Sequence, residues 1–208
     1  MTGDLCYAGP MTASLFAERA NIERQQLVKL EPDSDPVAVA TLVNPVGSSW
    51  MVLRCRALPA VDDFDVRVVL HKPYTLPPDI GPVHIILNFV GGQPAVGVLQ
   101  AAEFEPGKDL QYIHVGDLAG EDNIGLPARL LNSKPIRITG SGMGAWRKMD
   151  VKKEIGGLFA AVAKMPRPQD VVTASLADIQ SVWDQEAANF TGSAAVRSIK
   201  SDMGVVFA

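Results

Sequence analysis

The sequence has little from which to build a metal or disulfide site. It holds two cysteines, Cys6 and Cys55, and neither belongs to a Cys-x-x-Cys pair. Its three histidines, His71, His84 and His114, are scattered, with no His-x3-His or Glu-x-x-His spacing. Structural or catalytic zinc needs three or four N, S or O ligands brought together, so no metal site is expected. Two lone thiols fit a reducing compartment better than a disulfide framework. The N-terminus, Met1-Thr2-Gly3-Asp4, lacks the basic and apolar regions of a signal peptide. No unbroken apolar run approaches the roughly 18 residues of a membrane span. These absences predict a cytoplasmic protein with no membrane partner.

Positive charge is also short. Lys and Arg number 19 against 23 Asp and Glu, for a net charge of −4 and a pI near 5.4. That balance disfavours nucleic acid and anionic lipid as partners. The densest basic group, Arg147-Lys148 with Lys152-Lys153, alternates with Asp150 and Glu154 and reads as a solvated helix face.

Nucleotide and nucleophile motifs are missing too. There is no Walker A, no G-x-G-x-x-G and no G-x-S-x-G. Gly140-Ser141-Gly142-Met143-Gly144 comes near the dinucleotide fingerprint, but its third glycine is one place early. Ala145-Trp146-Arg147-Lys148 then lacks the apolar start of the helix that should follow. A glycine-rich turn is the preferred reading. Ser141, His114 and Asp117 can be assembled into a triad on paper, with no spacing to support it. His114 reads as a half-buried strand residue, and Asp117 as a ligand contact, an N-cap or a turn former. Trp50, Trp146 and Trp183 fall on helix-like segments and read as core or interface residues.

What is present is an α/β pattern. At 208 residues and 47% hydrophobic, the chain suits one large domain or a domain with an appendage. The stretch that organises it is Val83 to Gly92. An apolar run, Val83 to Leu87, ends on Asn88 and then on Gly91-Gly92, and a helical segment follows from Pro94 to Glu103. A strand buried on both faces looks like this in a parallel sheet. Ligands in such sheets sit outside the carboxyl ends of the strands, so Asn88 to Gly92 either line a cleft or only make a tight turn.

Further strands are expected at Ala13–Glu18, Gln26–Leu30, Asp65–Leu70, Leu110–Val115 and Pro135–Thr139. Asp35 is a good N-cap with Pro36 at the first helical position. A helical piece over Val37–Leu42 should break or kink at Pro45, and a second piece should cover Ser48–Arg56. Four prolines make 72–82 an extended connection. A short helix is expected over Leu126–Asn132 and a longer one over 147–164, with Gly156-Gly157 as its weak spot. Ser175 opens a helix to about Ala188, and Ala195–Ile199 and Gly204–Phe207 are strand-like.

The order of these segments resembles the zinc-free, quinone-oxidoreductase-like branch of the medium-chain dehydrogenase/reductase superfamily. Ala17-Glu18 with Gln26-Leu27-Val28-Lys29-Leu30-Glu31 is similar to the strand closing that family's catalytic domain. Val39–Leu53 is similar to the helix linking it to the nucleotide domain. Val83–Gly92, Gly107–Gly120 and Pro135–Gly144 are similar to the fourth, fifth and sixth Rossmann strands. The likeness covers most of the chain, and it rests on order and spacing, since each motif alone is weakly specific. It implies a partial Rossmann-like parallel sheet with flanking helices, plus remnant β strands of a catalytic domain. The domain division is then 1–35 for the remnant strands, 36–165 for the linking helix and partial Rossmann-like domain, and 166–208 for a C-terminal helix and return strands.

The resemblance also implies a function. Hydride would pass from NADPH to a quinone or enone, and Asn88, Val90, Gly91, Val115 and Gly116 would lie near the nicotinamide. It assigns no catalytic residue. The chain departs from the family in one place: little more than a loop separates Arg56 from the strand at Asp65, where the family has its phosphate-binding βαβ unit. The chain therefore looks truncated, and NADPH binding is expected to be weak or lost, with hydride transfer at risk. The alternatives are a non-redox small-molecule binder or isomerase/cyclase on the remnant scaffold, or a non-catalytic partner. In the family the sixth strand pairs across a two-fold axis, so a homodimer through 135–139 is expected.

Overall fold

A computed structural model describes residues 4–8, 21–58, 76, 80–121, 123–168, 171, 175 and 177. The expected strands at Ala13–Glu18 and Asp65–Leu70, most of the helix opened by Ser175, and the C-terminal strands lie outside the described residues. The chain divides into two compact units, Met1–Asn44 with Gly157–Arg197, and Pro45–Gly156 with Ser198–Ala208.

In the first unit, β1 (Cys6–Ala8) pairs antiparallel with β2 (Leu27–Lys29), and Cys6 lies opposite Lys29. The sequence reading placed β2 but did not foresee β1, which is only three residues long and half exposed, so it has no alternating pattern to detect. Tyr7 packs its ring on Phe159 at 5.0 Å between centroids. Asp35 caps the first turn of α1 (Pro36–Cys55) as expected, its Oδ1 accepting the Val37 N–H at 2.9 Å. The Arg167 guanidinium, bonded to both Asp35 oxygens, holds that carboxyl down at about 2.

Pro45 does not break the helix. α1 runs unbroken through it for 20 residues. A proline inside a helix removes one N–H and crowds the carbonyl of residue i−4, at a cost of about 3 kcal/mol. That cost is borne because the turns on both sides are buried, at Leu42, Val43, Met51, Val52 and Leu53. As a single helix, α1 is long and apolar enough to cross a membrane, with a mean hydropathy of 1.3. Half of that window is buried inside the protein, which is how a core helix looks.

The second unit holds a parallel sheet in the order β3 (Ile85–Asn88), β4 (Leu110–His114), β5 (Ile136–Gly140). Side chains alternate across it. Ile86, Leu110 and Tyr112 meet Ala95, Val98 and Leu99 of α2 (Gly92–Ala101) and Leu130 of α3 (Ala128–Ser133). Leu87 and Ile113 point the other way, toward Val52 of α1 and Ala57. Helices on both faces of a parallel sheet make a partial Rossmann-like α/β fold. From β3 to α4 each element lies within two residues of its expected bounds, and α4 (Lys148–Val162) passes straight through Gly156-Gly157.

Lys134 closes α2. Its Nζ donates to the carbonyl oxygens of Leu99, Gln100 and Ala102 at 3.0, 2.6 and 2.6 Å. A cation at a helix C-terminus satisfies orphan carbonyls and complements the dipole. Lys134→Met keeps the stem and removes the donors. It should lower stability by about 1–2 kcal/mol in urea titration, and an unchanged midpoint would show that water replaces the ammonium without loss.

Candidate functional site

The carboxyl ends of β3 and β4 continue past the strands as two loops bonded to each other. The Asn88 carbonyl accepts the N–H groups of Val115 at 2.7 Å and Gly116 at 3.3 Å. The Phe89 carbonyl accepts the Leu118 N–H at 3.1 Å, and that of Val90 the Ala119 N–H at 2.8 Å. Asn88, Val90, Gly91, Val115 and Gly116 are thus brought together, through backbone pairing. Asn88, Val90 and Gly91 are buried, while Val115 and Gly116 are half-buried.

The glycines are needed for this closeness. Gly91 has φ +74°, and a Cβ there would lie 3.2 Å from both Cα and Cβ of Asp117. A Cβ on Gly116 would lie 3.1 Å from the Phe89 carbonyl oxygen. Gly92 has φ +56°, and the Glu121 carboxylate sits where its Cβ would project, at 2.6 to 2.8 Å. An anion is well placed at the start of a helix, and at α2 the protein's own carboxylate lies there.

Asn88 is 1% exposed. Its Oδ1 accepts the Gly91 N–H at 2.6 Å, inside the turn. The side chain is spent on the strand-to-helix turn, so its influence on any ligand runs through the shape of that turn. Nearby, burial pushes the Tyr112 phenol up to about 12, and its hydroxyl lies 3.5 Å from His114 Nδ1.

The paper triad does not assemble. The Ser141 N–H donates to the His114 carbonyl at 2.7 Å, and Ser141 Oγ accepts the Trp146 indole N–H at 2.8 Å. No Ser141–His114 side-chain bond forms. The glycine-rich segment after β5 is a turn, with the Ala145 and Trp146 N–H groups folded back on the Gly142 carbonyl.

One constellation escaped the sequence reading. Glu154 is not on a solvated face; it is 7% exposed. Its Oε2 accepts the Trp50 indole N–H and the Arg54 Nε–H, each at 3.1 Å. Burial opposes its ionisation, while Arg54 and Trp50 favour it, and the net effect lowers its pKa. The partners lie about a hundred positions away in sequence, so no local pattern could reveal them. Among the described residues no cluster of His, Cys, Asp and Glu could hold a metal.

No protein-family model matches the chain, and no solved structure does. A probable NADPH-dependent quinone reductase of Emericella nidulans, tdiC, is 32% identical to it over 271 residues, covering 89% of this chain and 76% of the relative. The chain belongs to the medium-chain dehydrogenase/reductase type of oxidoreductase. The likeness spans most of both proteins. The 271 aligned residues exceed the 208 of this chain, so the relative holds residues with no counterpart here.

The turn after β3 does not fit a pyrophosphate. The N-terminus of α2 faces Glu121, and a pyrophosphate would meet like charge there.

Asn88→Ala leaves the buried Gly91 N–H without its acceptor. An unsatisfied buried donor costs about 1–3 kcal/mol, so a loss of that size is expected in denaturant unfolding. Asn88→Asp, which keeps an acceptor, should lose less; equal losses would show that the cap is not what the site requires.

Proposed function

We propose that this chain is a quinone- or enone-reductase-like protein that keeps the family's nicotinamide-facing turn and has lost its pyrophosphate cradle. On this reading NADPH binds weakly and hydride transfer is lost. The carrying observation is that the turn after β3, at the nicotinamide-facing end, is intact while no glycine-rich pyrophosphate turn stands ahead of it in the sequence, and the Glu121 carboxylate beside Gly92 leaves no substitute for one at α2. The relative's extra aligned residues and the lack of any G-x-G-x-x-G support a shortened nucleotide domain. Asn88, Val90, Gly91, Val115 and Gly116 are the proposed ring-binding residues, and the proposed compartment is the cytoplasm.

The same observation favours the rival reading, a non-redox small-molecule binder or isomerase/cyclase. A turn that repels phosphate can still take a neutral planar ligand. Thermal unfolding in the presence of NADPH separates the two, because a ligand that binds only the folded state raises its stability by mass action. No appreciable shift is expected at micromolar NADPH. A large upward shift would restore the active reductase.

A homodimer through β5 belongs to this proposal. Among the described strands β5, like β3, lies at an edge of the sheet, and Ile138 is 44% exposed on it. An open apolar edge seeks pairing, and a two-fold dimer is the commonest outcome. Light scattering should find a dimer at tens of micromolar that Ile138→Pro converts to monomer. A wild-type monomer, or a dimer indifferent to that proline, would defeat the edge pairing.

A further inference from the structure

A cavity of about 270 Å³ lies where the C-terminal end of α1 meets the start of α4, and the turns after β3 and β4 contribute nothing to it. Its charged lining is Arg54, Arg56, Arg147, Asp150, Lys153 and Glu154. Glu154 is matched inside the protein by Arg54 and Trp50. Lys153 also lies 3.9 Å from Glu154 Oε1, and the one further carboxylate is Asp150, so four cations stand against two acids. A local excess of two positive charges remains, on a chain whose net charge is −4.

Arg56 adds an independent sign. Its Nε is buried and has no hydrogen-bond partner among the described residues. A buried donor left unpaired costs free energy, and its presence in a folded protein points to an absent partner. The missing partner must be an acceptor. Guanidinium groups present paired N–H donors that suit the oxygens of phosphate or carboxylate. Two surplus positive charges match a dianion better than a monoanion. The first turn of α4, which carries Asp150, adds the positive end of a helix dipole.

Cys55 also lines the cavity. Burial, with Asp150 and Glu154 nearby, pushes its thiol up, so it stays protonated and offers no nucleophile. The cavity is equipped to bind, not to form a covalent bond.

We propose that this cavity is a phosphate-type oxyanion site, held by Arg56 and Arg147 with Lys153 at the rim. The ligand is either free inorganic phosphate or a phosphate group carried by a nucleotide. The proposal does not depend on the reductase reading, since none of its residues lies in the nicotinamide-facing turn.

Calorimetry of the full chain in chloride buffer tests it, with inorganic phosphate and NADP⁺ as separate titrants. Saturable phosphate binding is expected. It should weaken roughly ten-fold in Arg147→Gln, the loss of one charge-assisted contact, and more in Arg56→Gln. Arg147 is exposed, so its variant keeps the test decisive should Arg56→Gln fail to fold. Lys108→Gln, outside the cavity, should leave the affinity unchanged. If NADP⁺ also binds, competes with phosphate and weakens in Arg147→Gln, the nucleotide's phosphate is the source; if phosphate alone binds, the free anion is. No saturable phosphate binding at millimolar concentration, or an affinity indifferent to Arg147→Gln, would overturn the site.

Discussion

The hydrogen bond from the Gly91 N–H to the Asn88 carboxamide is the constraint on which the carboxyl ends of β3 and β4 depend. It turns the chain within three residues from a buried strand into α2. That turn puts the Asn88 carbonyl where the Val115 and Gly116 N–H groups can reach it. The two loops then approach so closely that a methyl group at Gly91 or Gly116 would crowd the facing loop. A buried amide, two glycines and two strand ends thus form one unit. Replacing any member disturbs the others, because a packed interior has no slack to absorb the shift.

A second constraint is electrostatic. A carboxylate as buried as Glu154 is stable only when paired and hydrogen-bonded. Arg54 and Trp50 do this from successive turns of α1, which ties that helix to α4. The arrangement consumes one of the arginines near the end of α1 and leaves Arg56 facing the cavity. The surplus of cations there follows from how one buried acid is neutralised, and composition could not have disclosed it in a chain that is acidic overall.

Much of the sheet was legible in the sequence. The run Val83–Leu87 has no polar interruption, so it had to be buried on both faces, and parallel strands are. The Asp35-Pro36 cap is a local signal with a local cause. Pro45 misled because propensity is a weak prior beside burial: the same residue that would end an exposed helix is carried inside α1 by the apolar turns on either side of it. Glu154 misled for the opposite reason. A window of alternating charges looks solvated, and only tertiary structure brings Trp50 and Arg54 to one member of it. Asn88 was correctly placed at the carboxyl end of its strand, but the direction of its side chain is decided by the Gly91 N–H, which sequence cannot orient.

Family membership and the charge at the start of α2 bear on cofactor binding in opposite ways. A dinucleotide is held largely by its pyrophosphate, through backbone N–H groups and a helix dipole that exist only where a glycine-rich turn opens a helix toward the ligand. This chain has such a turn after β3. Its glycines are used to bring two loops together, and its helix N-terminus faces Glu121. The Glu121 carboxylate therefore stands where a phosphate would have to come. A ligand would have to displace that carboxylate as well as surrender its own hydration. Family membership explains why the strands stand where they do, and the carboxylate beside Gly92 puts negative charge at the start of α2.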